Sequence, residues 1–141
     1  MRKILVAMDG SPSAMRALAY VLGQASRETV NVQLMYVHFI PPFYENPGAY
    51  VRRDENRRFA NKRAKAALGP AVRKLTRAGI EHQAMVKLGD EAPEIARAAT
   101  QLKCESIVMG SRGLGAIKSL ILGSTAMKVI HLATVPVTLI K

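Results

Sequence analysis

The sequence predicts a single α/β domain, a five-stranded parallel sheet with helices on both faces, and three observations carry that prediction. Apolar runs such as ILVAM at 4–8 and IVM at 107–109 are continuous rather than alternating, as in strands covered on both sides. Between such runs lie stretches with helical spacing of apolar residues, so the order reads βαβαβαβαβ. Crossovers between parallel strands are right-handed almost without exception, and that order therefore winds into a doubly wound sandwich. With 141 residues, 49% of them hydrophobic, the chain is large enough to bury one core and is expected to form one domain over 1–141.

The first strand, 4–8, is stopped by Asp9, Gly10, Ser11 and Pro12. Ser11 suits a helix N-cap and Pro12 the first helical position, where a missing N–H is harmless. Met15, Leu18, Ala19, Leu22 and Ala25 then give the helical period. The second strand, 30–39, sets Val32, Leu34, Tyr36 and His38 on one side and Asn31, Gln33, Met35 and Val37 on the other. Residues 41–50, with three prolines and Gly48, are expected to form a surface loop or lid. His38, at the edge of that loop, is expected to be an ordinary partly buried polar residue.

From 51 to 78 the pattern is helical, with Ala60, Ala64, Ala67, Leu68, Ala71 and Leu75 as one stripe. Pro70 removes a donor and crowds the carbonyl four residues back, so a kink or break is expected near 66–69. A strand at 80–88 turns through Gly89-Asp90 into a helix capped by Asp90, with Ile95, Ala98, Ala99 and Leu102 buried. The fourth strand, 105–109, precedes a glycine-rich stretch. A helix starting near Ser124, with Ala126, Val129, Ile130 and Ala133 inward, leads to a last strand at 135–140.

The stretch 110–124 reads GSRGLGAIKSLILGS, and glycines at a strand end let backbone N–H groups approach an anion. A helix N-terminus directly after it adds unpaired donors. Gly110 and Gly115 have the Walker A spacing, but Ala116 and Ile117 stand where Lys and Ser/Thr are required. The dinucleotide fingerprint fails as well, because Lys118 occupies the third glycine's place. In a doubly wound sheet of order 3-2-1-4-5, the winding reverses between the first and fourth strands, and ligands bind there. Asp9 follows one of those strands and Gly110 the other, so topology alone brings them to one crevice. Turn chemistry alone would explain Asp9, because Asp-Gly is a common turn dipeptide, but this convergence favours a ligand contact.

Gly110-x-x-Gly113, nine residues, then Gly123-Ser124 resembles the ATP-binding branch of the universal stress protein family, whose motif is G-x2-G-x9-G-[ST]. ILVAMDGSPSAMRAL looks like that family's first strand and helix, LMYVHF its second strand, IVMGSRGLGAIKSLILGSTAMKVI its nucleotide loop, and VPVTLIK its closing strand. Glu105 and Ser106 depart from a usual Asp-Leu, and Met127 from a position that is often acidic. The resemblance implies an adenine nucleotide alpha hydrolase-like fold with strand order 3-2-1-4-5. It also implies a site in which Ala7 and Asp9 flank the adenosine, with Asp9 near the ribose hydroxyls, and the Val37 backbone meets the adenine edge. Met109 and Gly110 would line the ribose side, while Arg112, Gly113, Gly123, Ser124 and Thr125 surround the phosphates, mainly through N–H groups. The implied cofactor is ATP, or AMP or ADP in its place, with Mg2+ as an optional companion.

Phosphoryl transfer needs a metal, a group that positions the nucleophile and transition-state charge stabilisation. Asp9 and Arg112 are the only candidates near the loop, and His82 and His131 stand in isolation without metal-ligand spacing. No catalytic residue and no protein metal site are therefore assigned. The expected function is a nucleotide-binding stress-response switch or sensor, with ATP hydrolysis absent or slow. Residues 52–77 carry ten basic side chains against two acidic ones, a net +8 of the chain's +11. A solvated face is expected there rather than specific nucleic-acid binding, because no aromatic interleaving accompanies the charge. The competing reading is a non-catalytic interaction protein whose basic helix engages an anionic partner. The apolar run after Arg2 and Lys3 is too short for a membrane span, and the single Cys104 cannot form an internal disulfide, so a cytoplasmic protein is expected. In the last strand, Val135, Val137, Leu139 and Ile140 leave an apolar, uncharged edge, and a homodimer through 135–140 is expected.

Overall fold

The computed structural model describes residues 1–40, 49–113 and 122–141, with 49–54 in backbone only. Expectations for the loop 41–50 up to residue 48, and for residues 114–121 of the glycine stretch, lie outside the described residues. The chain runs β1 (Arg2–Ala7), α1 (Pro12–Ala25), β2 (Val30–Phe39), α2 (Ala49–Arg77), β3 (Glu81–Gly89), α3 (Glu91–Gln101), β4 (Ser106–Gly110), α4 (Ser124–Leu132) and β5 (Val137–Ile140). All strand pairs are parallel, in the order β3-β2-β1-β4-β5, as the alternating pattern required.

Alternation along each strand splits the core into two layers. Ile4, Val6, Val32 and Leu34 point to one face and pack with α1 and α2; Leu5, Met35 and Ile107 point to the other and pack with α3 and α4. Each fully buried Leu, Ile or Val contributes roughly 1.5–3 kcal/mol relative to exposure. On β2 the second face also buries a polar pair, in which Gln33 Nε2 donates to Asn31 Oδ1 at 2.5 Å.

Several local expectations need correction. Pro70 does not break α2, which stays helical from Ala49 to Arg77. Ala64, Ala67 and Leu68 before the proline and Ala71 and Leu75 after it are all buried against the sheet. Packing on both sides of Pro70 thus outweighs the roughly 3 kcal/mol that an interior proline costs. On α1 the buried stripe is Ala14, Ala17, Leu18 and Val21, with Met15 and Leu22 at its margin and Ala19 exposed. Asp90 occupies the N-cap position of α3, but its side chain makes no capping hydrogen bond. Ile130, expected inward, is 48% exposed, because α4 flanks the sheet edge and buries only Ala126 and Val129 fully. β5 begins at Val137, after the proline that cannot donate, although the Pro136 carbonyl still accepts from the Ile107 N–H at 2.9 Å.

Candidate functional site

β1 and β4 lie side by side, and the helices that follow them leave on opposite faces of the sheet. The space between their turns, at the carboxyl ends of the strands, is where such folds place ligands. A cavity of about 710 Å3 opens there, a size ordinary for a small-molecule site.

The turn after β1 is built by side chains. The Ser11 N–H donates to Asp9 Oδ1 at 2.8 Å, Ser11 Oγ accepts from the Ala14 N–H at 3.1 Å, and Gly10 takes φ +85 between them. Asp9 therefore closes the turn with one oxygen and keeps the other for the cavity: a Cβ added to Gly113 would stand 2.9 Å from Asp9 Oδ2. Turn chemistry and cavity contact are both served by one carboxylate.

The turn after β4 works by the absence of side chains. A Cβ on Gly110 would lie 2.4 Å from Ser13 Oγ and 2.9 Å from the Ser13 carbonyl carbon, so this glycine is required by α1. A Cβ on Gly123 would lie 3.3 Å from the Ser111 carbonyl oxygen. None of Gly110, Gly113 and Gly123 uses a positive φ; what they supply is close approach. The Gly123 N–H also donates to the Ser111 carbonyl at 2.6 Å, which takes it away from any anion. Donors at this end include those of the first turn of α4, at Ser124 and Thr125, where Gly123 as N-cap has no side chain to accept from them.

All ten residues singled out in the sequence line this one cavity: Ala7 and Asp9 from β1 and its turn, Val37 from β2, Met109, Gly110, Arg112 and Gly113 from β4 and its turn, and Gly123, Ser124 and Thr125 at the start of α4. Ala7, Val37, Met109, Ile95 and Ala126 make its apolar part, and the glycine turn with α4 its polar end. Sequence reading missed Glu91, Ile95, Tyr36, Arg63 and Ser111 and left His38 as an ordinary strand residue. Glu91 was within reach, since it opens the helix that starts at the carboxyl end of β3. Arg63 was one basic residue among ten, and only the packing of α2 tells it from the others.

These additions shape the electrostatics. Thr125 Oγ1 donates to Glu91 Oε2 at 2.6 Å, joining the first turns of α3 and α4. Along the α2 wall the Arg63 guanidinium stacks 4.9 Å from the centre of the Phe59 ring, and Phe59 meets the His38 ring edge-on at 6.1 Å. Burial, and after it the Arg63 charge, holds the His38 imidazole below its ordinary pKa. Burial pushes the Tyr36 phenol up, opposed by Arg63 and reinforced by Glu91 and Asp9. Among the described residues, neither Asp9 nor Glu91 is ion-paired with Arg63 or Arg112. No group of three side chains suited to hold a metal ion occurs among the described residues either. The arrangement can hold an elongated ligand with a flat apolar end, hydroxyls near Asp9 and an anionic end at α4.

Comparison with known proteins identifies the family. A universal stress protein from Thermus aquaticus, described as lying in the QAH/OAS sulfhydrylase 3′ region, is 35% identical over 148 residues, covering 99% of this chain and 98% of that one. Among solved structures, the hypothetical protein MJ0577 superposes with a TM-score of 0.87 at 26% identity, over 99% of this chain and 95% of that one. A universal stress protein family member from Arabidopsis thaliana, solved with AMP bound, superposes with a TM-score of 0.72 at 23% identity, over 100% and 92%. The sequence profile described as the universal stress protein family matches residues 1–141, and the chain belongs to that family.

Proposed function

We propose that this protein binds an adenine nucleotide in the crevice between β1 and β4 and acts as a stress-response switch or sensor, with ATP hydrolysis absent or slow. The observation that carries the reading is the convergence of Asp9, the glycine turn and the start of α4 on one cavity with an apolar end. The base would lie among Ala7, Val37 and Met109, the ribose at Asp9 Oδ2, and the phosphates at Ser124 and Thr125, with Arg112 as counter-charge. Relatives of the same fold were solved with AMP, dAMP and cAMP bound, which supports the ligand class. Of the adenine nucleotides, ATP is the ligand the glycine motif favours. Mg2+ would be held mainly by the phosphates with one carboxylate of this chain, the way that ion is commonly bound. Slow or absent hydrolysis is supported by the sequence, in which Ala116 stands where a Walker A loop carries its lysine.

Denaturing purified protein and analysing the released small molecules should yield an adenine nucleotide. In calorimetry, Gly113→Leu with Gly123→Leu should abolish ATP binding in a chain that still folds, because the bulk fills the approach that the glycines leave open. Unchanged affinity in that folded variant would sink the assignment.

The same reading includes a homodimer through β5. The Pro136 carbonyl accepts from Ile107 of β4 and the Ile140 carbonyl from Ser111 just after it, so alternation turns the N–H and C=O groups of Val137 and Leu139 to the open side. An apolar edge with open backbone groups favours pairing with a second copy. Leu139→Pro should convert dimer to monomer in light scattering. A wild type that is monomeric at micromolar concentration would refute the interface. No helix among the described residues is long and apolar enough to cross a membrane, and the lone buried Cys104 accords with cytoplasmic residence.

One observation favours a second function. None of the ion pairs among the described residues involves α2, whose Arg57, Arg58, Lys62 and Lys65 are exposed. Such a face could receive an anionic partner. Binding to nucleic acid through it would be weak and would fall steeply with salt.

A further inference from the structure

The carboxylate of Glu91 stands at the end of the cavity where the anionic part of a ligand would go. It belongs to the first residue of α3, lines the cavity, and accepts the hydroxyl proton of Thr125 in the first turn of α4 at 2.6 Å. That turn has no acidic residue of its own, and its N-cap, Gly123, has no side chain to accept from the N–H groups there. A negative side chain near a helix N-terminus is stabilised by the unpaired N–H groups there. Glu91 thus already supplies this helix end with the kind of charge that a phosphate would bring.

We propose that Glu91 is a specificity-determining residue that selects ligands by charge, disfavouring free polyphosphate relative to a monophosphate or to a metal-complexed polyphosphate. The inference rests on the nucleotide-binding reading above. Phosphates at Ser124 and Thr125 would lie beside a fixed carboxylate, and each further negative charge on the ligand adds repulsion in a partly desolvated crevice. The contact to Thr125 keeps the carboxylate in place, so it does not simply swing into solvent. A divalent cation would relieve the repulsion by lying between the two anionic groups. Adenosine, which has no phosphate, would not sense Glu91 at all.

The test is calorimetry with adenosine, AMP and ATP, each in chelator and then with Mg2+, on the wild type, Glu91→Gln and Glu91→Ala. Glu91→Gln keeps the shape and an acceptor for Thr125; Glu91→Ala removes both, so agreement between them isolates charge. In chelator, both variants should tighten ATP relative to AMP by at least about tenfold, since one charge a few ångströms away exceeds that factor at an intermediate dielectric. Adenosine affinity should stay at the wild-type value. Mg2+ should tighten ATP in the wild type and have much less effect in either variant. A change common to all three ligands, or no change in the ATP-to-AMP ratio, would overturn the proposal and assign Glu91 to the packing of α3 on α4. If the wild type binds none of the three, the nucleotide-binding reading falls first and this one with it.

Discussion

The turns that follow β1 and β4 meet across the same crevice, yet they are made by opposite means. After β1, Asp9 and Ser11 hold the backbone with side-chain hydrogen bonds, and Gly10 is there for its φ of +85. After β4 none of Gly110, Gly113 and Gly123 takes an unusual φ; Gly110 and Gly123 are there because a Cβ would meet α1 or the Ser111 carbonyl. Glycine thus does two different jobs within one site, conformational at one turn and steric at the other. A motif written only as glycine spacing does not tell them apart.

The contrast predicts unequal penalties, the largest at Gly110. Gly110→Ala places a methyl group inside contact distance of the Ser13 carbonyl carbon, which cannot rotate away, and should destabilise by about 3 kcal/mol in urea denaturation. Adding Ser13→Gly should recover only the part due to the Ser13 side chain, since the backbone contact remains. At Gly10 the nearest atom to an added Cβ is 3.7 Å away, so Gly10→Ala meets conformational strain alone, about 1–2 kcal/mol. Gly10→Asn should recover part of it, because asparagine tolerates that region better. Equal losses for the two alanine variants would erase the distinction between the turns.

The smallest effect lies on the α2 wall, which belongs to neither turn. His38 has its folded pKa lowered, by burial first and Arg63 second, so the unfolded chain takes up the proton more readily. Stability from this residue is present above the ordinary histidine pKa of about 6.5 and declines as pH falls below it. His38→Gln should flatten that slope, and Arg63→Gln should move the His38 titration, followed by NMR, back towards the ordinary value. Both should leave Gly110→Ala as damaging as before, because the atoms nearest an added Cβ at Gly110 are those of Ser13 on α1.

What could be read from the sequence was whatever depends on local order and topology. Ser11-Pro12 starts α1 where capping chemistry places it, and the alternation of runs was enough to set β1 beside β4 and bring Asp9 to Gly110. What escaped depends on partners distant in the chain. Pro70 is carried through α2 by burial on both sides, which a local rule for proline does not include. Ile130 follows the helical period yet faces outward, because α4 lies at the sheet edge with too little neighbouring surface to cover it. Local order puts Glu91 at the carboxyl end of the sheet, but its contact with Thr125, 34 residues later, depends on the fold. The engagement of the Gly123 N–H by Ser111 was hidden for the same reason, since a motif names residues and not the hydrogen bonds they have already made.

The Ile140 carbonyl accepts two donors, Ser13 Oγ at 2.9 Å and the Ser111 N–H at 2.7 Å, and Ser111 in turn accepts from Gly123. The outermost strand, the first turn of α1 and the rim of the crevice are therefore fastened at a single oxygen. Amide hydrogens at Ser111 and Gly123 should exchange with solvent only when that fastening opens, on the slow schedule of the core rather than the fast one of a surface turn. A rim of this kind is timed by the sheet edge, so a disturbance at β5 would register at the crevice before any atom of the crevice had been altered.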